Sequence, residues 1–291
     1  MPQDDQQGHR TEDTNRLSSS AGLSHVSEAE RRTVARQSRP NATLIHEVIR
    51  AEGESELDRT WWALLLSGFA AGLSMGLSLV VEGVLHAHLP DAPWRDLVAK
   101  FGYAVGFLVV VLGRQQLFTE NTVTPVLPLL YNRDAATLGR VGRLWILVLA
   151  ANIVATWLFA ASLTFSGVFE PDVKAAFGEI ARHAIGSEFS TTLLKGVFAG
   201  WLIALMVWLL PGSDGMRPVM IIIITYVVAI ASLSHVIAGS VDAAYLVWTG
   251  EAGGLDYLWR FFAPTLLGNA LGGVTLVAIL NYGQVAPEIE G

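Results

Sequence analysis

The chain contains no cysteine, which excludes disulfides and thiolate metal centres. Charge is scarce too. Asp, Glu, Lys and Arg make up 15% of the 291 residues, against about 25% in an ordinary soluble domain, and they crowd toward the N-terminus, so the remainder is poorer still. That N-terminus mixes both charge signs and has no early apolar run, so it does not read as a cleaved signal peptide. No nucleotide-binding loop, paired-His metal spacing or Ser/His/Asp set is present, so neither an enzyme nor a cofactor is expected, and nothing suggests nucleic acid. His86-Ala87-His88 reads as a hydrated loop rather than a metal site.

What is present is apolar. Hydrophobic residues make up 52% of the chain and mean hydropathy is +0.45, which points to an all-α protein that crosses a lipid bilayer several times. Residues 1–42 are rich in Ser, Thr, Gln, Arg and Asp; with too little apolar surface to offset the entropy of ordering, they are expected to be a disordered tail. Residues 43–60 place Leu44, Ile45, Val48, Ile49 and Leu57 at roughly helical spacing among Glu and Arg, as in an amphipathic pre-helix on a membrane surface or a solvated one. Residues 61–283 form the expected six-span domain, with spans at 61–85, 101–130, 144–165, 193–210, 218–248 and 261–282, and 284–291 are a short polar tail. Six spans put both termini on one side. Arg50, Arg59, Arg133, Arg140, Arg143 and Arg217 there outnumber Arg95, Lys100, Lys174, Arg182 and Arg260 opposite, which favours cytoplasmic termini in a bacterial-type inner (plasma) membrane.

Two of these spans are broken. The polar stretch GRQQLFTENTVT, residues 113–124, separates two apolar runs too short to cross alone, and SLSHVIAGS, residues 232–240, interrupts span five. In each half an intact span precedes a broken one, which precedes a span holding an Asn, Asn152 or Asn269. Three spans per half make the repeats inverted, an arrangement that forms a site at the midplane where discontinuous helices face each other. The breaks are therefore expected to meet there, with Thr119 and His235 at the waist of a small-anion pathway. A bare anion in the ~30 Å hydrocarbon slab is costly. Loop amides and the Thr119 hydroxyl can offset that cost, and imidazole, with an ordinary pKa of about 6.5, can exchange a proton with a weak-acid anion so that a neutral acid crosses.

Leu117-Phe118-Thr119-Glu120-Asn121-Thr122, Trp145 to Asn152 (WILVLAAN), Ser234 to Ala238 (SHVIA) and Gly268-Asn269 followed by Gly272-Gly273 resemble the formate/nitrite transporter family over roughly residues 45–283. The resemblance implies an aquaporin-like six-helix fold, a homopentamer with one pore per protomer, and passage of small monovalent anions or their conjugate acids. It also implies a central hydrogen-bonded cluster of Thr119, His235 and Asn269, with Thr119 and Asn269 holding the imidazole. Apolar constrictions would lie above and below, at Tyr103, Phe107, Leu117, Phe118 and Val228. Gln116 stands where the family often has an acid, and Gly200 where it often has an Asn, which marks an atypical branch. The alternative is a neutral-solute channel or a non-conducting structural homologue.

Among the other intramembrane ionisable residues, Arg114 precedes Thr119 by five positions and Asp242 follows His235 by seven. Helical rise puts both on the outer side, so Arg114 is expected to pair with Asp242 or Glu82 in an outer vestibule. Glu120 is expected to accept from loop amides, Lys195 to snorkel to the interface, and Asn152 to glue helices together.

Overall fold

The computed structural model describes Ser27, residues 40–213 and residues 215–289. The tail expected at 1–42 lies, but for a few positions, outside them. Among the described residues every regular element is helical.

Helix α1, Ala42–Leu57, buries His46, Ile49, Gly53 and Leu57, a stripe at the three- and four-residue spacing of one helix face. Thr60 ends the connection and starts α2, Trp61–His88, its hydroxyl accepting from the Ala63 N–H at 3.3 Å. The short α3, Arg95–Ala99, runs through the tight turn Lys100–Tyr103 into α4, Ala104–Leu112. After a loop and the turn Glu120–Thr122 comes α5, Val126–Asn132. Asp134 caps α6, Ala135–Phe165, by accepting from the Thr137 N–H at 2.8 Å. There follow α7, Pro171–Ile185, α8, Phe189–Leu209, α9, Arg217–Ile230, and α10, Ala238–Thr249. The last helical stretch contains α11, Ala263–Gly273, between two wider π turns, and ends in α12, Leu280–Ile289.

Among the described residues four helical stretches are long and apolar enough to cross a membrane: Trp61–His88, Ala135–Phe165, Phe189–Gly212 and Gly254–Pro287. Helix α4 ends at Leu112 and α5 starts at Val126, while α9 ends at Ile230 and α10 starts at Ala238. Helix α4 has 9 residues, about 14 Å at ~1.5 Å each, less than half of a ~30 Å hydrocarbon layer. The second break is shorter than the polar stretch suggested: α10 already starts at Ala238, because that residue's N–H is held by the His235 ring.

Close pairing of α2 with α6, and of α8 with α11, depends on glycine. A Cβ at Gly72 would lie 2.4 Å from the Asn152 carbonyl oxygen, and one at Gly200 2.3 Å from that of Asn269. Backbone rather than a movable side chain stands opposite in both cases, so only glycine permits the approach. Helix α7 was not anticipated. It buries Val173, Ala176, Phe177, Ala181 and Ile185 on one face, with the Phe177 ring over Gly83 and edge-on to Tyr245 at 5.9 Å. Pro171 in the first turn, followed by that apolar spacing, was its signal.

Candidate functional site

Both interrupted helices end in the same way. Helix α4 stops where Arg114 turns left-handed at φ 54, and α9 where Ser232 does so at φ 50. The Gln115 N–H then reaches back to the Val110 carbonyl at 3.0 Å, as the Leu233 N–H reaches Val228 at 3.0 Å. In a closely packed interior the loop backbone beyond these points needs partners, and in each loop one Asn supplies them. Asn152 Oδ1 accepts from the Phe118 N–H at 3.0 Å, while its Nδ2 donates to the carbonyls of Gly68 at 2.6 Å and Gln116 at 3.0 Å. Asn269 repeats the pattern: Oδ1 accepts from the Val236 N–H, and Nδ2 donates to the carbonyls of Gly196 and Ser234, all at 2.8 Å.

Between the braced groups the loops present different chemistry. In the first, Leu117 sits between the braced carbonyl and the braced N–H; in the second, His235 does. Thr119 Oγ1 and His235 Nε2 are 2.7 Å apart, and both residues are buried. His235 Nδ1 accepts from the Ala238 N–H at 3.1 Å, so a neutral ring carries its hydrogen on Nε2 and donates it to the Thr119 oxygen. The Thr119 hydroxyl hydrogen is thereby left free to donate elsewhere. Phe107 lies edge-on to the imidazole at 5.0 Å, with Tyr103 5.3 Å beyond it. Phe107, Leu117 and Val228 are fully buried in one apolar cluster. The Phe118 ring packs instead on Trp145 at 5.8 Å, whose Nε1–H holds the Asn121 carbonyl at 2.8 Å.

Two cavities approach this contact. The larger, about 870 Å³, lies at the C-terminal end of α4 and the N-terminal end of α9; Gln116 and Glu120, close neighbours of Thr119 in the chain, line it. The smaller, about 80 Å³, lies at the opposite ends of the same helices and is lined by Glu82, Lys100, Tyr103, Ser234, Asp242 and His235 itself.

The expected vestibule pair is not formed. Arg114 binds Glu52 at 2.8 Å in the larger cavity, whereas Asp242 and Glu82 line the smaller one. Counting helical rise back from Thr119 failed because the chain leaves helical geometry at Arg114. Asn269 was expected to hold the imidazole, but its three bonds all go to backbone and it fixes the loop rather than the ring. Asn152 does more than glue helices, since it braces the first loop. Glu120 accepts no loop amide, and its Oε1 is buried without a partner. Lys195 Nζ donates to Ser187 Oγ at 3.1 Å.

Sequence reasoning missed Glu56. Its carboxylate accepts from Gln116 Nε2 at 2.9 Å and from the Thr124 hydroxyl, and Gln116 Oε1 in turn accepts from Asn121 Nδ2 at 2.8 Å. This chain ties α1 to the first loop. Desolvation between α1 and that loop pushes the Glu56 carboxyl up to about 7, against the opposing pull of the Thr124 and Gln116 hydrogen bonds. Its signal was positional: Glu56 is the last acid of the amphipathic stripe, one residue before buried Leu57.

A family model described as Formate/nitrite transporter matches residues 43–283. The chain is 39% identical over 249 residues to Inner membrane protein YfdC of Escherichia coli (strain K12), covering 86% of this chain and 80% of that protein. It is 25% identical over 250 residues to Formate channel BtFdhC of Bacillus thuringiensis, covering 82% and 93%. A solved pentameric formate channel with formate bound is similar in fold at a TM-score of 0.65 and 17% identity, over 78% of this chain and 98% of that one.

Proposed function

Because the chain belongs to the formate/nitrite transporter family, we propose that it carries small monovalent anions of weak acids, formate-like or nitrite-like, across the membrane with a proton passing through His235. The observation that carries this reading is the 2.7 Å contact between Thr119 and His235, approached by one cavity from each end of α4 and α9.

The transport domain at 61–283 is read as six crossings in two inverted three-helix repeats. Helix α2, the pair α4 and α5, and α6 make the first; α8, the pair α9 and α10, and the stretch around α11 make the second. The matched left-handed residues, back-bonds and Asn braces support that pairing. A homopentamer suits the exposed apolar flanks at Leu66, Ile146 and Leu158, and pentamers are what the similar formate channel forms. The relative's description as an inner membrane protein supports the same location here. The Arg-rich α1 side is then cytoplasmic.

An anion reaching the waist meets the Thr119 O–H, which is free to donate because the oxygen already accepts from His235 Nε2–H. Beyond it Phe107, Leu117 and Val228 close the path with apolar side chains, which a neutral acid crosses far more easily than an ion. For the proton to pass through His235, the ring must be protonated at Nδ1 as it releases the Nε2 proton. That step breaks the Ala238 N–H bond, so it opens the turn that starts α10. Liposome flux tests the reading. Uptake of formate, nitrite, acetate or lactate that rises on acidification is expected. Passage of uncharged solutes alone would favour a neutral-solute channel, and no flux at all a non-conducting homologue. His235→Asn with wild-type pH dependence would exclude the imidazole as the relay.

A further inference from the structure

On both sides of the waist the walls carry side-chain acceptors to which no protein group among the described residues donates. In the smaller cavity Glu82 is only 8% exposed and, like Asp242 beside it, makes no hydrogen bond or ion pair among the described residues. In the larger cavity Glu120 Oε1 and Gln115 Oε1 are buried without a partner. Buried acceptors left unmatched are costly. Three carboxyl groups flanking an anion route repel the ionised cargo unless they are protonated or the cargo brings a hydrogen. Meanwhile both His235 nitrogens are occupied, by the Ala238 N–H and by Thr119, which makes the ring a poor first source of protons.

We propose that Glu82, with Asp242, and Glu120 are the proton-exchange groups of this pathway, loading and unloading a small monocarboxylic acid so that its neutral form passes the Thr119–His235 contact. The inference rests on the weak-acid reading above and departs from it in one step: the proton crosses the waist on the cargo rather than through the His235 ring, taken from Glu82 and given to Glu120. On the Lys100 side the O–H bond of the Glu82 carboxyl breaks and an O–H bond forms on the arriving carboxylate. The acid moves past Phe107 and the waist, and on the far side its proton returns to the Glu120 carboxylate. The carboxyls then exchange protons with water in their own cavities, so one proton and one anion cross together and no net charge moves. Proton donor and proton acceptor are both carboxyl groups, so the same exchange can run in either direction. Lys100, Asp96, Tyr103, His183, Asp242 and His235 face or influence Glu82, and the Lys100 ammonium can draw the anion in before it is protonated. Glu52, Glu56, Arg59, Arg114 and Arg217 surround Glu120.

The test uses the full chain in liposomes with a formate gradient, recording uptake and charge movement together at external pH 5, 6 and 7. Wild type is expected to take up formate without net current. Glu82→Gln combined with Asp242→Asn should lower uptake at pH 7 by about tenfold or more, with less loss at pH 5, where bulk water supplies the neutral acid. Glu120→Gln should slow the opposite direction, and Glu82→Asp should restore most of the rate. If the double variant does not assemble, Asp242→Asn and Glu82→Asp are compared alone. Wild-type rate and pH profile in the carboxyl variants, or a formate current in wild type, would overturn the inference while leaving transport intact. Absence of weak-acid uptake by wild type at every pH would overturn the functional reading beneath it.

Discussion

Asn269→Ala separates a bracing role from a cargo-binding one. The substitution strands the Val236 N–H and the Ser234 carbonyl in a loop with no other partner given to them, while the Gly196 carbonyl keeps its place within α8. Hydrogen bonds between membrane helices are worth about 0.6 to 1.7 kcal/mol each, and an orphaned buried group costs about 1 to 3 kcal/mol. Two stranded groups therefore bring the loss to roughly 2 to 6 kcal/mol, a large share of a typical stability of about 5 to 15 kcal/mol. At about 2 to 4 °C per kcal/mol, thermal unfolding of the detergent-solubilised protein should fall by roughly 4 to 24 °C. Asn152→Ala strands the matching pair, the Phe118 N–H and the Gln116 carbonyl, so its loss should be of similar size. Asn269→Asp keeps the acceptor and loses both donors, and should fall in between. If Asn269→Ala unfolds within about 2 °C of wild type yet loses transport, the bracing argument is wrong and the amide faces the cargo.

Three further outcomes follow from the same contacts. Gly200→Ala places a Cβ 2.3 Å from the Asn269 carbonyl oxygen and should cost about 1 to 3 kcal/mol or more, whereas Gly139→Ala in α6 meets nothing within 4 Å and should be neutral or stabilising by up to about 1 kcal/mol; yields of assembled protein and thermal scans compare them. Glu56 has a carboxyl raised from 4.5 to about 7, so its contribution to docking α1 is complete below 4.5 and is lost as pH rises through about 7; protection of the α1 amides, taken relative to their intrinsic exchange rates at each pH, should fall between pH 6 and 8 in wild type and stay level in Glu56→Gln. Arg114 holds Glu52 from a side chain 71% exposed, so Arg114→Ala should change stability by at most about 1 kcal/mol and leave uptake unaltered; a clear fall in uptake would mean that the guanidinium gathers anions.

Where the pattern had a period, the sequence disclosed the structure. The apolar runs beginning at Trp61 and ending near Phe165 and Leu209 mark long helices because only a helix satisfies its own backbone over such lengths. The helix ends before Arg114 and Ser232 lie in stretches whose polar residues were visible in the sequence, the first between apolar runs too short to cross and the second inside a long apolar segment. The path of the loops was hidden. Nothing in GRQQLFTENTVT states that Arg114 adopts a left-handed conformation, which ends helical geometry there and voids a count by helical rise; Arg114 lies on the Glu52 side and not the Asp242 side. Asn269 was misread for a related reason. An Asn near a His in an apolar protein suggests a side-chain cluster, but the amide has three hydrogen-bonding sites that match a carbonyl, a second carbonyl and an N–H, and a broken helix offers all three. Glu56 was masked by its neighbours, since an acid in an amphipathic helix usually faces water.

The recurrence of the braces also explains why the waist consists of one polar couple. Each Asn fixes a loop at the same place, by accepting from one N–H and donating to the carbonyl two residues before it. The neighbours of the braced N–H are Leu117 and Thr119 in the first loop, and His235 and Ile237 in the second, all fully or almost fully buried. Had the two loops been chemically identical, the waist would be either a doubled polar site, holding a cargo too tightly to release it, or wholly apolar, with nothing to receive an anion. Because the polar residue comes after the brace in one loop and before it in the other, Thr119 and His235 can meet at 2.7 Å while Leu117 and Ile237 supply the apolar surroundings. The scaffold is repeated and the chemistry is not, so exchanging the two residue types within one loop, as Leu117→Thr with Thr119→Leu, should preserve folding and abolish the hydrogen bond on which passage depends.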